Sequence, residues 1–197
     1  MVEAAVGANC GSFLVVPNFV SPDVCAQLAD AMVRHAPRRQ RGVDPFWDDR
    51  VLFRNDILDI DPSAADVMKR VDHGVKRVLR DNWPERPLMY NDGCHLVRWT
   101  VGPGMPPHAD HQNEGFAHRE FAAVLYLNDD FDGGELRLTR LGIVIRPETG
   151  TLVIIPSTWE HEHEVLPITR GERYTMAGFY TSDAAKADLS PWGVNQP

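Results

Sequence analysis

The chain has 197 residues, of which 43% are hydrophobic and 24% are charged. This length and composition fit one packed globular domain and exclude a disordered or collagen-like chain. The chain has 20 Lys and Arg residues against 28 Asp and Glu residues, which gives a net charge of −8. An excess of acidic residues argues against binding of nucleic acid through its phosphates, so no nucleic-acid partner is expected.

Cysteine usage and hydropathy predict the compartment. The three cysteines, Cys10, Cys25 and Cys94, are odd in number and show no paired spacing, so neither a disulfide framework nor a zinc site is indicated. The N-terminal residues have no basic start, and no stretch reaches the roughly 18 apolar residues that a membrane span needs. We therefore expect a cytoplasmic protein with no membrane contact.

Two helices are predicted in the first half of the chain. The sequence SPD at 21–23 combines an N-cap, a proline and an acidic residue of a first helical turn, and it predicts a helix over 22–35. The sequence DPS at 61–63 repeats this signal. It precedes an apolar stripe with helical spacing, which predicts a second, longer helix that ends before Pro84.

The segment between these helices, residues 41–56, reads RGVDPFWDDRVLFRND. Two interpretations stay open for it. It is a lid over an active site, since such lids are often loops of this kind, or it is an ordinary surface loop packed on the core. Residues 111–120 are a second loop whose polar side chains are candidates for contact with a substrate.

After Asn91 the pattern changes to short apolar or alternating runs separated by Gly, Pro and Asp, which is typical of antiparallel strands. The predicted strands cover 95–100, 121–128, 135–139, 142–145, 151–155 and 173–180. This order predicts a mainly β fold, a double-stranded β-helix or jelly roll buttressed by the N-terminal helices. We expect a single domain over 1–197, with helical support over about 13–84 and the jelly-roll core over about 91–180.

Candidate metal ligands lie in the strand-rich half. His108 and Asp110 are two residues apart in the sequence PPHAD, so they face the same side if the segment is a strand. A third ligand is available from His161 or His163, which again share a face if their segment is extended. Two imidazoles and one carboxylate leave open coordination positions, an arrangement typical of non-haem Fe(II) oxygenases.

A candidate anion-binding residue follows these histidines. Arg173 begins the last predicted strand, and a guanidinium inside a β-barrel is costly unless it meets an anion such as a carboxylate. Arg170 competes for this role. We favour Arg173 because Arg170 lies in the predicted turn at 169–172, where a side chain is usually solvated.

These motifs resemble the Fe(II)- and 2-oxoglutarate-dependent dioxygenases, and specifically their prolyl 4-hydroxylase-type branch. The resemblance extends over about 13–180. The matching stretches, in chain order, are VPNF at 16–19, HAD at 108–110, VLYLN at 124–128, GGE at 133–135, IPS at 155–157, HEVLP at 163–167 and GER at 171–173.

The resemblance implies a role for each matching residue. His108, Asp110 and His163 hold iron, with His163 favoured over His161 because the family's distal histidine precedes Glu-Val-x-Pro. Arg173 pairs with the C5 carboxylate of 2-oxoglutarate, and the hydroxyl of Tyr126 donates to the same carboxylate.

One position departs from the family pattern. Trp99 stands where these enzymes often have a tyrosine, so a contact to the cosubstrate is made by an indole N–H or is missing. Thr175, two residues after Arg173 on the same strand face, is a candidate to compensate.

The implied reaction hydroxylates an unactivated C–H bond of an amino acid, a peptidyl residue or a small metabolite. It uses Fe(II), 2-oxoglutarate and O2, with ascorbate as an optional reductant, and it releases succinate and CO2. The sequence leaves open two alternatives, a cupin-like metal-dependent isomerase or hydrolase and a non-catalytic jelly-roll binding module. It also leaves the oligomeric state open.

Overall fold

The computed structural model describes residues 2–3, 13–36, 39, 45–86 and 88–187. The α-helices in these ranges are α1 (Pro22–Arg34), α2 (Arg54–Ile60) and α3 (Pro62–Asn82). The strands are β1 (Val2–Glu3), β2 (Leu14–Val16), β3 (Val51–Phe53), β4 (Tyr90–Trp99), β5 (Met105–His108), β6 (Phe121–Tyr126), β7 (Asp132–Gly133), β8 (Leu136–Leu138), β9 (Ile143–Ile145), β10 (Leu152–Pro156), β11 (His163–Val165), β12 (Ile168–Arg170) and β13 (Arg173–Thr181). None of the described helices combines the length and apolar character of a membrane span.

Two facing sheets form the core. The larger sheet has the strand order β2-β10-β6-β13-β4-β3, and the smaller one has the order β1-β9-β8-β11-β5. Side chains from β6 and β10 of the larger sheet pack against side chains from β8 and β9 of the smaller sheet in one buried cluster. The predicted mainly β, jelly-roll class with flanking helices is confirmed.

Helices α1 and α3 cover the outer face of the larger sheet. Each begins at a proline, and the carboxylate of Asp61 accepts a hydrogen bond from the backbone N–H of Ala64, which caps α3. Apolar residues of both helices, among them Leu28 and Met68, are fully buried in one cluster with residues of β4, β6 and β10. This burial fixes the sheet from behind.

Side chains along β13 point alternately towards the helices and towards the cavity between the two sheets. Met176 and Tyr180 pack in the cluster that holds the helices. Arg173 and Thr175 line the cavity between the sheets instead. The strand therefore places a guanidinium and a hydroxyl on the same inner face, because side chains two apart in a strand point to the same side.

The structure corrects the expectation of a loop over residues 41–56. Residues 41–44 lie outside the described residues, and 45–50 form turns, but β3 and the start of α2 occupy 51–56. Both elements are too short to show a clear hydrophobic period, which is why the pattern did not indicate them.

Gly104, just before β5, lies where the chain approaches the backbone of β11 closely. A Cβ at this position would lie 1.9 Å from the carbonyl oxygen of Val165 in β11. We expect Gly104→Ala to lower the free energy of unfolding by about 2–4 kcal/mol, because the clash is with backbone and cannot relax by a rotamer change. Urea unfolding measures this. Gly115→Ala, where an added Cβ meets no atom within 4 Å, is the matched control and should change stability little.

Candidate active site

Three predicted ligands lie together between the sheets. The Nε2 atom of His108 is 3.7 Å from Oδ1 of Asp110, and the Nε2 atom of His163 is 3.7 Å from Oδ2 of the same carboxylate. The imidazole rings of the two histidines have centroids 4.3 Å apart. Among the described residues, these three form a group whose ligand atoms all lie within 4.8 Å of one another.

Strand pairing creates this group. His163 begins β11 and lies directly opposite His108, the last residue of β5. We predicted that Asp110 shares a strand face with His108, and this prediction is wrong. Strand β5 ends at His108, and Asp110 lies in the turn that follows.

His161 does not join the three ligands. It ends a short 3-10 helix, Trp159–His161, and not an extended segment, so the expectation that it shares a strand face with His163 is wrong. Its Nδ1 atom lies 2.9 Å from the hydroxyl oxygen of Thr158.

The histidines are oriented for metal binding by their backbone partners. The Nδ1 atom of His108 is 2.9 Å from the carbonyl oxygen of Pro106, and that of His163 is 3.1 Å from the carbonyl oxygen of His161. A carbonyl only accepts, so each Nδ1 carries the proton and each neutral ring presents a bare Nε2 to the shared space. Burial also lowers the pKa of His163, which favours the neutral, ligating form.

The donor set fits a divalent metal ion. Oδ2 of Asp110 is buried and has no hydrogen-bond partner among the described residues. A buried carboxylate oxygen without a partner is costly, and a cation between it and the two bare Nε2 atoms would satisfy it. Two imidazoles and one carboxylate on one side of an ion are typical of non-haem Fe(II) sites.

An anion-binding pocket lies beside this group. Arg173 is 2% exposed, and its Nη2 donates a hydrogen bond of 3.1 Å to the hydroxyl oxygen of Tyr126. The Nε and Nη1 atoms of Arg173 are buried without partners in the described chain. Because Tyr126 accepts from the arginine, its own O–H remains available to a ligand. The pocket therefore offers three donors to one carboxylate.

The other predicted pocket residues surround Arg173. Trp99 pairs with it across β4 and β13, and the guanidinium carbon lies 5.8 Å from the indole centroid. Thr175 is 2% exposed and lies on the cavity wall. Arg170, the other candidate for the anion-binding role, is the last residue of β12, so the prediction that it lies in a turn is wrong. Its exposed side chain pairs with Asp132.

One cavity of about 570 Å³ contains both the ligand group and the arginine. This volume is within the usual range of small-molecule sites. The exposed residues of the cavity wall mark its opening. They contribute two phenyl rings and three side-chain amides, and they are Phe53, Asn55, Gln112, Asn113 and Phe116. No charged side chain belongs to this exposed set.

A polar cluster on the same wall was not identified from the sequence. Asp92 accepts a hydrogen bond of 2.6 Å from Nε of Arg119, and its other oxygen lies 3.0 Å from Nε2 of His118. The guanidinium of Arg119 lies 3.7 Å from the ring centroid of Phe179 and 3.9 Å from that of Phe116. The only sequence signal was the polar run before the apolar strand β6. It predicted that this loop contacts a substrate, but it did not indicate which residues pair with His118 and Arg119.

His95, on the same wall, predicts an acid-sensitive stability. Burial, with a contribution from Arg119, lowers its pKa from 6.5 to about 4. The unfolded chain therefore binds more protons between these two values, and the free energy of unfolding falls as pH drops through this window. We expect the loss to be on the order of 2 kcal/mol.

Urea unfolding of the protein and of His95→Gln between pH 4 and 7 measures this loss. The variant should lose less stability on acidification than the parent. His73→Gln, at an exposed position on α3, should follow the parent curve. Parallel curves for the parent and His95→Gln would contradict the prediction.

Part of the chain is similar in sequence to known oxygenases. Residues 94–181 match the sequence model of the 2OG-Fe(II) oxygenase superfamily, and all seven predicted site residues lie in that range. The chain is similar to prolyl 3-hydroxylase 2 of Mus musculus, with 35% identity over 152 residues, which covers 64% of this chain. The chain spans only 22% of that relative's length.

Solved structures share the fold. A prolyl hydroxylase from Trichoplax adhaerens, in complex with a peptide fragment of hypoxia inducible factor, has a TM-score of 0.70 at 18% identity and covers 92% of this chain and 88% of its own. The viral collagen prolyl hydroxylase from Paramecium Bursaria Chlorella virus-1, in its 2OG complex, has a TM-score of 0.67 at 16% identity, with coverages of 88% and 98%. Residues 94–181 are thus similar to the 2OG-Fe(II) oxygenase superfamily, and the fold is similar to that of these solved prolyl hydroxylases.

Proposed function

We propose that the protein is an Fe(II)- and 2-oxoglutarate-dependent dioxygenase that hydroxylates a prolyl residue within a polypeptide, with succinate and CO2 as co-products. The observation that carries the proposal is the presence of the His108–Asp110–His163 group and the partnerless nitrogens of Arg173 in one cavity. A metal-dependent isomerase or hydrolase needs the first feature but not the second, and a binding module needs neither.

The protein's residues have separate tasks in this reaction. His108, Asp110 and His163 would hold the ferrous ion on one side, with the imidazole tautomers set by the two backbone carbonyls. The guanidinium of Arg173 and the hydroxyl of Tyr126 would each donate a hydrogen bond to the distal carboxylate of 2-oxoglutarate and so fix its position. The bound ion supplies the activation of dioxygen that accompanies oxidative decarboxylation of the keto acid.

The inner wall keeps water from the reacting atoms. Buried or half-buried apolar side chains, among them Val97, Val124 and Leu136, line the cavity around the ligand group. A dry, preorganised site strengthens the electrostatic contacts to the keto acid and limits side reactions with water.

Two observations support a peptidyl proline as substrate. The curated relative is named for prolyl 3-hydroxylation, and a structural neighbour was solved with a bound peptide. In addition, the opening of the cavity carries uncharged side chains, with the rings of Phe53 and Phe116 and the amide of Asn55. Amides pair with peptide groups and phenyl rings pack on apolar residues, whereas a free amino acid brings two charges to this opening.

Mass spectrometry tests the activity. The protein is incubated with Fe(II), 2-oxoglutarate, ascorbate and a panel of prolyl peptides, with alanine replacing proline in matched peptides and with free L-proline as a further sample. We expect succinate and the gain of one oxygen atom in a prolyl peptide, with none in its alanine counterpart. Metal-dependent turnover without 2-oxoglutarate would instead support the isomerase or hydrolase.

We also propose that the protein works in a reducing compartment, the cytoplasm. Among the described cysteines, Cys25 and Cys94 are both buried free thiols, as expected for a protein that needs no disulfide. Fractionation of the source cells with an antibody against the protein tests this location.

A further inference from the structure

A second arginine lies behind the anion-binding pocket. The guanidinium carbon of Arg50 lies 4.9 Å from the ring centroid of Trp99, and that of Arg173 lies 5.8 Å from the same centroid. One indole thus contacts both cations. Trp99 also stands at the position where the prolyl 4-hydroxylase-type enzymes, which this sequence resembles, often have a tyrosine.

Among the described residues, the guanidinium of Arg50 keeps one donor nitrogen without a partner. Its Nη1 atom is buried and has no hydrogen-bond partner in the part of the chain that the structure describes. The neighbouring Arg98 differs, since Glu172 and Asp49 both accept hydrogen bonds from it. Burial accordingly lowers the pKa of Arg50, although a guanidinium keeps its charge at neutral pH.

Aromatic rings fix Arg50 in place. Its guanidinium carbon lies 4.9 Å from the ring centroid of Phe46, and the rings of Phe46 and Trp47 each make an edge contact with Trp99. Two backbone hydrogen bonds hold the residue, from its own N–H to the carbonyl of Trp47 and from the N–H of Arg98 to its carbonyl. Trp47 and Trp99 both line the cavity, so this cluster forms its wall.

We infer that Arg50 is a positioning residue of the anion-binding pocket, which holds Trp99 against Arg173 and adds a second positive charge for a dianionic 2-oxo acid. This inference rests on the proposed function, because it takes the distal carboxylate of 2-oxoglutarate as the ligand of Arg173. Two cations with unused donors beside one ring favour an anionic ligand in this pocket.

The expected effect follows from Coulomb's law. The two distances to the indole place the guanidinium carbons within about 11 Å of each other, so a carboxylate paired with Arg173 lies at a similar range from Arg50. At an effective dielectric of about 20, one charge at this range changes a dissociation constant by up to roughly tenfold. A monoanionic 2-oxo acid has no distal carboxylate at Arg173. Its binding should therefore depend much less on Arg50.

Calorimetry of the full chain loaded with Mn(II), without oxygen, tests the inference. The probes are 2-oxoglutarate and 2-oxopentanoate, which lacks the distal carboxylate. For Arg50→Met we expect the Kd of 2-oxoglutarate to rise by up to roughly tenfold and that of 2-oxopentanoate, which has one carboxylate fewer, to rise by a smaller factor. Arg50→Lys should restore most of the affinity, since it returns the charge.

Arg80→Met is the matched control, because it removes one positive charge from an exposed position at the end of α3. It should leave both constants unchanged. An unchanged Kd of 2-oxoglutarate in Arg50→Met, or an equal loss for both probes, would overturn the inference. If the parent protein itself bound both probes equally, the proposed function would fail instead.

Discussion

Asp110→Ala is expected to lower the affinity for Fe(II) or Mn(II) by more than about 100-fold and to abolish 2-oxoglutarate turnover, because it removes the carboxylate from a three-residue ligand group. The loss should not come from unfolding. Oδ2 of Asp110 is buried without a hydrogen-bond partner in the described residues, so the metal-free variant should be at least as stable as the metal-free parent.

Metal titration by calorimetry and the thermal unfolding midpoint of the metal-free proteins measure the two effects. His161→Ala is the matched control: it removes another buried histidine next to the site, but its backbone carbonyl still accepts from His163. This control should bind metal within about threefold of the parent. Tight metal binding by Asp110→Ala would remove the basis for the proposed iron site.

Arg173→Met is expected to raise the KM for 2-oxoglutarate by about 30-fold or more, because truncation of a buried, hydrogen-bonded charge partner costs about 2–5 kcal/mol. Its nitrogens without partners and the Tyr126 hydroxyl are the donors that face the ligand carboxylate. The metal affinity should stay close to that of the parent, since Arg173 is not a ligand.

Steady-state succinate formation and Mn(II) titration separate these two properties. Arg170→Met is the control, because its exposed side chain pairs with Asp132 outside the cavity. It should leave the KM unchanged. If Arg170→Met raised the KM and Arg173→Met did not, the assignment of Arg173 as the partner of the distal carboxylate would be wrong.

Much of the fold was predictable because local signals and tertiary structure agree. Proline and an N-cap residue mark the starts of α1 and α3, and the glycines at 133, 134 and 171, which lie between the predicted strands, have positive φ. The short elements β3 and α2 were missed, because three and seven residues do not contain enough repeats to show a period.

The candidate site was predictable in its members but not in its geometry. Spacing and residue type indicated His108 and Asp110, yet the strand ends between them and the carboxylate reaches the group from a turn. The pairing of His108 with His163 depends on the register of β5 and β11, which are far apart in sequence, and hydrophobic alternation alone does not specify that register.

Partnerships between distant side chains were not predictable at all. The contact of Arg50 with Trp99 joins the segment before β3 to the end of β4, and the pair of Asp92 and Arg119 joins β4 to the loop before β6. No local pattern marks such pairs, because they follow from how the sheets and their loops pack.

Trp99 lines the cavity and contacts two cations, which makes it an intrinsic optical probe of the pocket. Indole emission is sensitive to nearby charge, and this indole contacts both Arg50 and Arg173 as well as the ring of Trp47. A dicarboxylate that neutralises the field at Arg173 should change the fluorescence of the ring. Occupancy of the pocket can then be followed without a label and without turnover.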